Sequence, residues 1–239
     1  MSDNLVIPTE TETERIAARY AKRTQGGLTD RYAYTEPAAY MAVQERERAM
    51  VKWIRSCGIH PVQDRKVLEI GCGSGVNLLW FLRAGFLPEN LVGNELLPHR
   101  ATMARNLLPA RCELLVSDAL DLNLPDSCFD IVVQATVFSS ILDDGFKVEL
   151  AARMWRWVKP GGGVLWYDFI YDNPWNADVK GVGLRSIRRL FPGGHMRYWR
   201  LTLAPPISRV VTRIHPFFYT VLNAFPVLRT HVLVWMCKY

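Results

Sequence analysis

The sequence predicts an α/β fold, a mostly parallel sheet with helices on both faces, and three observations carry that reading. First, Val67 to Gly75 reads Val-Leu-Glu-Ile-Gly-Cys-Gly-Ser-Gly and runs at once into Val76, Asn77, Leu78, Leu79, Trp80, Phe81 and Leu82. That is a buried strand, a tight turn and the start of a helix. Second, a further apolar run ends in Glu95, about 20 residues past the glycines, where a βαβ unit places an acid on ribose hydroxyls. Third, short apolar runs alternate with helical patterns up to Phe169, as parallel strands joined by crossover helices require.

The glycines stand at alternate positions, 71, 73 and 75. A Cβ there would collide with whatever lies against the loop, and such turns often require positive φ. The loop is therefore built for a ligand to touch the backbone.

Composition sets the bounds. At 239 residues the chain fits one α/β domain with an added segment. Hydrophobic residues at 49% and charged ones at 22% describe an ordinary globule and exclude a disordered or fibrous chain. The net charge of +6 permits an acidic partner without demanding one. The five cysteines are odd in number, scattered and free of any C-x-x-C pair, which argues for reduced thiols and against a disulfide frame or a zinc site. Met1 to Glu14 is polar and acidic, unlike a signal peptide. No apolar run approaches the ~20 residues that span a bilayer. The expectation is a cytoplasmic protein.

In chain order, residues up to about Gln25 lead into a helix with Ile16, Ala17 and Tyr20 as its apolar stripe, broken by Gly26-Gly27. Asp30 to Tyr34 is an aromatic and charged loop. From Ala38 to Cys57 the residues Met41, Val43, Met50, Val51 and Ile54 recur at helical spacing, and Gly58 stands where a terminating glycine belongs. The run Gln44-Glu45-Arg46-Glu47-Arg48 within it reads as a solvated face with local ion pairs. Residues 1–60 thus form an N-terminal helical arm, and 61–239 the main domain. Asn90 to Glu95 is strand two, Pro98 to Leu108 a helix, Cys112 to Val116 strand three, and Phe129 to Gln134 strand four. A helix from Asp144 to Val158 ends at Lys159-Pro160-Gly161-Gly162, and Gly163 to Phe169 is strand five. The loop Ile170 to Asn176 and a short basic helix, Leu184 to Phe191, follow. Pro192-Gly193-Gly194-His195 turns into strand six, about Arg197 to Leu203, and His231 to Lys238 alternates as strand seven. Between these two strands, an apolar segment at about 206–228, interrupted by Pro216, is longer than a hairpin needs. It reads as an extra helical segment over the ligand-binding face.

Counted from Gly71, a dinucleotide fingerprint G-x-G-x-x-G/A would need a small residue where Val76 stands, whereas E-x-G-x-G-x-G from Glu69 to Gly75 is complete. With Glu95, Asp118 and Lys159-Pro160-Gly161-Gly162 following in order, the chain resembles the class I S-adenosylmethionine (SAM)-dependent methyltransferases. In style it is closest to the small-molecule branch that includes the ubiquinone- and menaquinone-biosynthesis enzymes. The resemblance implies a Rossmann-like, seven-stranded, mostly parallel sheet with an antiparallel C-terminal strand pair, SAM as cofactor and S-adenosylhomocysteine as product. It implies cofactor contacts from Glu69, Gly71, Cys72, Gly73, Gly75 and Asn77. Glu95 takes the ribose hydroxyls, with Leu96 beside it, and Asp118 takes the adenine amino group, with Ala119 adding a backbone contact. Gln134 stands at the end of strand four, where cofactor meets substrate. Asp118 also reads as a helix cap. Arg31 and Tyr32 would meet the SAM carboxylate or the substrate, or else pack as part of the arm. Where the quinone branch often carries a histidine, this chain has Val137-Phe138-Ser139-Ser140, so a quinone acceptor does not carry over.

The methyl group of SAM is already activated, so such a protein chiefly aligns the acceptor. A hydroxyl acceptor would gain from a base within hydrogen-bond reach, for which Asp168, Tyr171, Asp172 and His195 are the candidates. No carboxylate cluster calls for a metal. Arg185, Arg188, Arg189, Arg197 and Arg200 read either as a basic cluster suited to phosphate or uronate, or as a solvated face. With the apolar run Val210 to Phe225, they suggest a small-molecule, sugar or lipid-linked acceptor, O-methylated, with peripheral contact at the inner face of the membrane. Asn173-Pro174-Trp175 partly matches the motif of nucleic-acid amino methyltransferases, but it follows strand five and lacks the second proline. With no appended RNA-binding module, a nucleic-acid partner is not expected. RNA methylation and a non-catalytic SAM-binding regulatory subunit stand as the alternatives. The oligomeric state is not assigned.

Overall fold

The computed structural model describes residues 11–25, 33–173 and 176–239. Arg31, Tyr32, Pro174 and Trp175, singled out in the sequence, lie outside them. Seven strands form one sheet in the order β3-β2-β1-β4-β5-β7-β6. β1 (Val67–Ile70), β2 (Leu91–Glu95), β3 (Glu113–Val116), β4 (Phe129–Ala135) and β5 (Val158–Phe169) run parallel. β7 (Arg229–Cys237) lies antiparallel between β5 and β6 (His195–Leu203). This is the expected mostly parallel sheet with an antiparallel C-terminal pair. The chain reverses direction of travel across the sheet between β1 and β4, and ligands settle beyond the carboxyl ends of strands at such a switch point.

Side chains alternate between the faces of a strand, so the sheet carries two cores. Val67, Ile131, Val133, Leu165 and Trp235 face α2 (Pro37–Ser56) and α3 (Val76–Arg83). Leu68, Val132, Trp166, Val234 and Met236 face α5 (Asp144–Trp157) and α6 (Leu184–Leu190). The central strands are covered on both sides, which is why they read as near-continuous apolar runs. α4 (Pro98–Leu107) packs by β2 and β3. α2 opens on Pro37 and closes with Gly58 at φ +66°, where Ile59 N donates to Ile54 O at 3.1 Å.

Two boundaries differ from the sequence reading for a physical reason. Strand five begins before Gly163: Lys159 to Gly162 is part of β5, which shifts register against β4 between Phe129 and Ile131. Gly162 allows this, since a Cβ there would stand 2.5 Å from Asp130 O, and Gly161 N and Lys238 N exchange hydrogen bonds with Lys238 O and Gly162 O. His195 belongs to β6 instead of the preceding turn. It pairs with Cys237, which in turn pairs with Gly163. That is the amino end of the parallel strands, six residues, or about 20 Å, from the carboxyl end at Phe169. His195 therefore stands away from the ligand-binding end of the sheet, which contradicts the catalytic role expected of it.

Between β6 and β7 the chain forms α7 (Pro205–Ile214) and α8 (Phe217–Asn223), both attached at the carboxyl end of the sheet, where Leu203 pairs with Arg229. Among the described residues no helix is long and apolar enough to cross a membrane.

Candidate functional site

The loop after β1 is held open by backbone geometry. Gly71 and Gly73 have φ of +64° and +60°, the region that favours glycine. Side chains added there would start 2.6 Å from Val137 Cγ2 and 2.5 Å from Arg100 Nη2. Cys72 N donates to Asn94 O at 2.8 Å, and Gly75 N to Cys72 O at 2.9 Å, so the loop is stitched to β2 before α3 begins.

Two acids organise this end of the sheet. Glu95 is buried and accepts from Gly73 N at 2.7 Å and from Leu97 N at 2.9 Å. Each of its oxygens keeps a further lone pair for a hydroxyl donor. Glu69 is wholly buried. Its Oε1 accepts from Asn77 Nδ2 at 2.6 Å, while Oε2 has no partner among the described residues. Burial pushes the Glu69 carboxyl up to about 8, against the pull of the Asn77 hydrogen bond and the Arg46 charge. A buried polar atom without a partner costs free energy until one arrives. The glycine cradle and this orphaned oxygen are what an amino-acid-bearing nucleoside such as SAM would complete, so the residues present fit the cofactor.

The cleft above them includes about 730 Å³ of empty space with its open mouth. Gly71, Glu95, Leu96, Asp118 and Ala119 line it from the sheet. Its roof is α1 (Glu12–Gln25), which contributes Thr13, Ile16 and Tyr20. Asp118 uses Oδ1 to cap the turn at Leu120 N, at 2.9 Å, and accepts from Thr13 Oγ1 on Oδ2. The cap therefore accounts for one oxygen and the roof for the other. Glu12 fastens the roof, accepting from Leu142 N at 2.9 Å and from Arg19 Nη2 at 2.7 Å, while Arg19 also donates to Ser140 O at 3.0 Å. Arg100 lies 5.0 Å over the Tyr20 ring. The apolar stripe of α1 was legible in the sequence, but Thr13, Glu12 and Arg100 carried no signal there.

Other expected residues serve the scaffold. Gln134 is wholly buried and spends its amide on Val137 N, at 3.0 Å, and Tyr167 O, at 3.4 Å. It shapes the turn after β4, which accounts for its amide without a cofactor. Asn77 is engaged by Glu69. The Cys72 thiol is buried, and desolvation with the nearby carboxylates Glu69 and Glu95 drives its pKa up, leaving an inert neutral thiol.

Asp168 stands at the end of β5 but is wholly buried, accepting from Ser139 N at 3.1 Å and from Phe169 N at 3.0 Å. Burial pushes its carboxyl up to about 7. Wholly buried, it fixes the turn Phe138–Ser140 to the sheet instead of facing an acceptor, so the structure gives it a structural role and not that of a base. Tyr171 is exposed just beyond β5, and Asp172 closes its loop by accepting from Gly181 N at 2.9 Å. The arginines do not form one cluster. Arg185, Arg188 and Arg189 ride on α6, whereas Arg197 donates to Ser56 O at 2.8 Å, at the end of α2 on the other face of the sheet.

The charged run of α2 hides a polar knot that the sequence reading took for solvated surface. Glu45 is buried and accepts from Thr202 N at 2.9 Å, Tyr219 Oη at 2.7 Å and Asn223 Nδ2 at 2.7 Å. Arg46 lies 5.1 Å over the Tyr167 ring, on which His231 stacks at 5.3 Å. Burial and the Arg46 charge lower the His231 pKa to about 4, so this ring stays neutral. No group of His, Cys, Asp and Glu among the described residues could hold a metal.

Residues 67–162 match the family model described as a methyltransferase domain. The sterol 24-C-methyltransferase erg-4 of Neurospora crassa is 28% identical over 210 residues, covering 78% of this chain and 52% of that protein. The fatty-acid O-methyltransferase of Mycolicibacterium smegmatis is 33% identical over 132 residues, covering 53% of this chain and 46% of that protein. The chain thus spans about half the length of these curated relatives. A solved SAM-dependent methyltransferase from Archaeoglobus fulgidus superposes with a TM-score of 0.55 at 16% identity, covering 80% of this chain and 94% of that one, which is a likeness of fold.

Proposed function

We propose that this chain, whose residues 67–162 match a methyltransferase domain, uses SAM to O-methylate a lipid-like small molecule that carries a carboxylate. When bound, SAM supplies a methyl group already activated by its sulfonium. The chain's own residues bind and orient. The unpartnered Oε2 of Glu69 accepts from an ammonium, whose charge draws the proton off this carboxyl; Glu95 accepts from ribose hydroxyls and Asp118 from the adenine amino group, while α1 keeps water from the cleft.

The single observation that favours a carboxylate is that none of the candidate bases lines the cleft: Asp168 is buried on Ser139 N, Asp172 holds Gly181 N, Tyr171 is exposed beyond β5, and His195 stands at the far end of the sheet. A carboxylate is already ionised near pH 7 and needs alignment but no base. The sterol and fatty-acid relatives, by their names, act on apolar molecules and differ in the atom methylated, which supports the acceptor class and leaves oxygen to be tested.

The test is incubation of the purified chain with methyl-labelled SAM and separate lipid, small-molecule, glycan, RNA and protein fractions. Label in the lipid or small-molecule fraction that alkali releases as methanol supports an ester. Alkali-stable label, or label in RNA, refutes the carboxylate. Bound SAM with no transfer to any fraction would favour a regulatory SAM-binding role.

A further inference from the structure

Asp178 is the last acidic residue of the chain. The residues after it carry ten Lys or Arg and no Asp or Glu, although the whole chain has a net charge of only +6. The residues up to Asp178 are therefore net negative, and the C-terminal part is the cationic end of the molecule.

Within that part, α7 turns the usual helix pattern inside out. Its packed side presents Ser208 and Thr212, both buried, whose hydroxyls donate to Pro205 O at 3.1 Å and to Ser208 O at 2.7 Å. They are satisfied by their own helix and need no solvent. The outward side carries Val210, 61% exposed, and Ile214, 71% exposed. Phe217, Phe225 and Val227, on α8 and the turn that follows it, are 60%, 55% and 79% exposed, and α8 packs on α7 and on that turn. A surface helix normally buries such residues, and a contiguous exposed apolar patch marks an interaction site. The segment is firmly seated, because Tyr219 and Asn223 of α8 are bonded to Glu45. Arg209 and Arg213 lie beside the patch with no ion pair among the described residues.

We infer that the outward face of α7, α8 and the turn into β7 docks on an anionic lipid bilayer. An apolar ridge rimmed by unpaired arginines, with no carboxylate anywhere in the surrounding sequence, complements an acyl boundary under acidic headgroups. Both ends of the segment join the sheet at its carboxyl end, the end at which the cleft lies. As a route for a lipid-like acceptor it rests on the function proposed above. As a docking surface it stands on the patch and its charge alone.

The test is cosedimentation of the full chain with vesicles of phosphatidylcholine, alone or mixed with phosphatidylglycerol, with calorimetric titration of SAM run in parallel. Wild type should partition into the mixed vesicles, lose that binding in high salt and bind phosphatidylcholine about tenfold or more weakly. Arg209→Gln with Arg213→Gln, and separately Ile214→Ser with Phe217→Ser, should each reduce partitioning about tenfold while SAM affinity is unchanged. Failure to bind the mixed vesicles, equal binding by wild type and both variants, or a dimer abolished by Ile214→Ser with Phe217→Ser would overturn the inference. Vesicle binding without methyl transfer would refute the proposed function and leave the docking surface intact.

Discussion

Gly73 shows how much of the site rests on one missing side chain. Its φ of +60° and the 2.5 Å approach of Arg100 to a would-be Cβ make Gly73→Val a backbone problem first, since Arg100 can swing aside and φ cannot. The strain should cost about 1–3 kcal/mol of stability. Because the Gly73 N–H to Glu95 contact moves with it, SAM affinity should fall about tenfold or more. Calorimetric titration on a variant whose circular dichroism is native would check this, and wild-type affinity would remove the loop from the cofactor site.

Buried acids make a second residue-scale prediction. Asp168 is raised from 3.8 to about 7 and Glu69 from 4.5 to about 8. Above the lower value in each pair the unfolded chain has released a proton that the native protein still holds. Both acids therefore weaken the fold as pH rises through these windows. His231, lowered from 6.5 to about 4, acts in the opposite sense and weakens the fold as pH falls below about 6.5. Asp168→Asn keeps the acceptor for Ser139 N and removes the titration. Its urea midpoint should therefore gain on wild type between pH 5 and pH 7.5, with SAM affinity unchanged. A constant difference across that range would show that Asp168 is not buried as a neutral acid.

At the scale of elements, the parallel strands and their helices were legible because periodicity and glycine chemistry are local. The seating of α2 was not. Glu45 sits in a run of alternating charges that reads as surface, and only the partners at 202, 219 and 223 make it interior. Nothing within a few residues of it announces a contact over 150 positions away. The same holds for α1, whose stripe predicted packing but not that Thr13 would meet Asp118. Glu45→Ala should strand Thr202 N, the Tyr219 hydroxyl and the Asn223 amide together and cost about 3 kcal/mol, while Glu45→Gln, which keeps an acceptor, should cost clearly less. Denaturant unfolding of both would measure it. Equal losses would mean that charge, not hydrogen bonding, holds α8 to α2.

Over the whole molecule, the expected cofactor cleft is assembled from the ends of β1, β2 and β4, the turn after β3, and α1. Sequence spacing placed Glu69, Glu95 and Asp118 in the order that topology then gathers. It could not tell which candidate bases face the cleft, because facing depends on register across β5, β7 and β6. A ligand that bridges so many elements should stabilise the molecule as a unit. At about one hundred times its dissociation constant it adds roughly 2.7 kcal/mol, or about 5–10 °C in melting temperature for a domain of this size. SAM and S-adenosylhomocysteine should both give this shift, and Glu95→Ala should remove it. Reduced nicotinamide cofactor should give none, since Val76 stands where that class needs a small residue. A shift with the nicotinamide compound and none with SAM would overturn the cofactor assignment from the level of the whole fold.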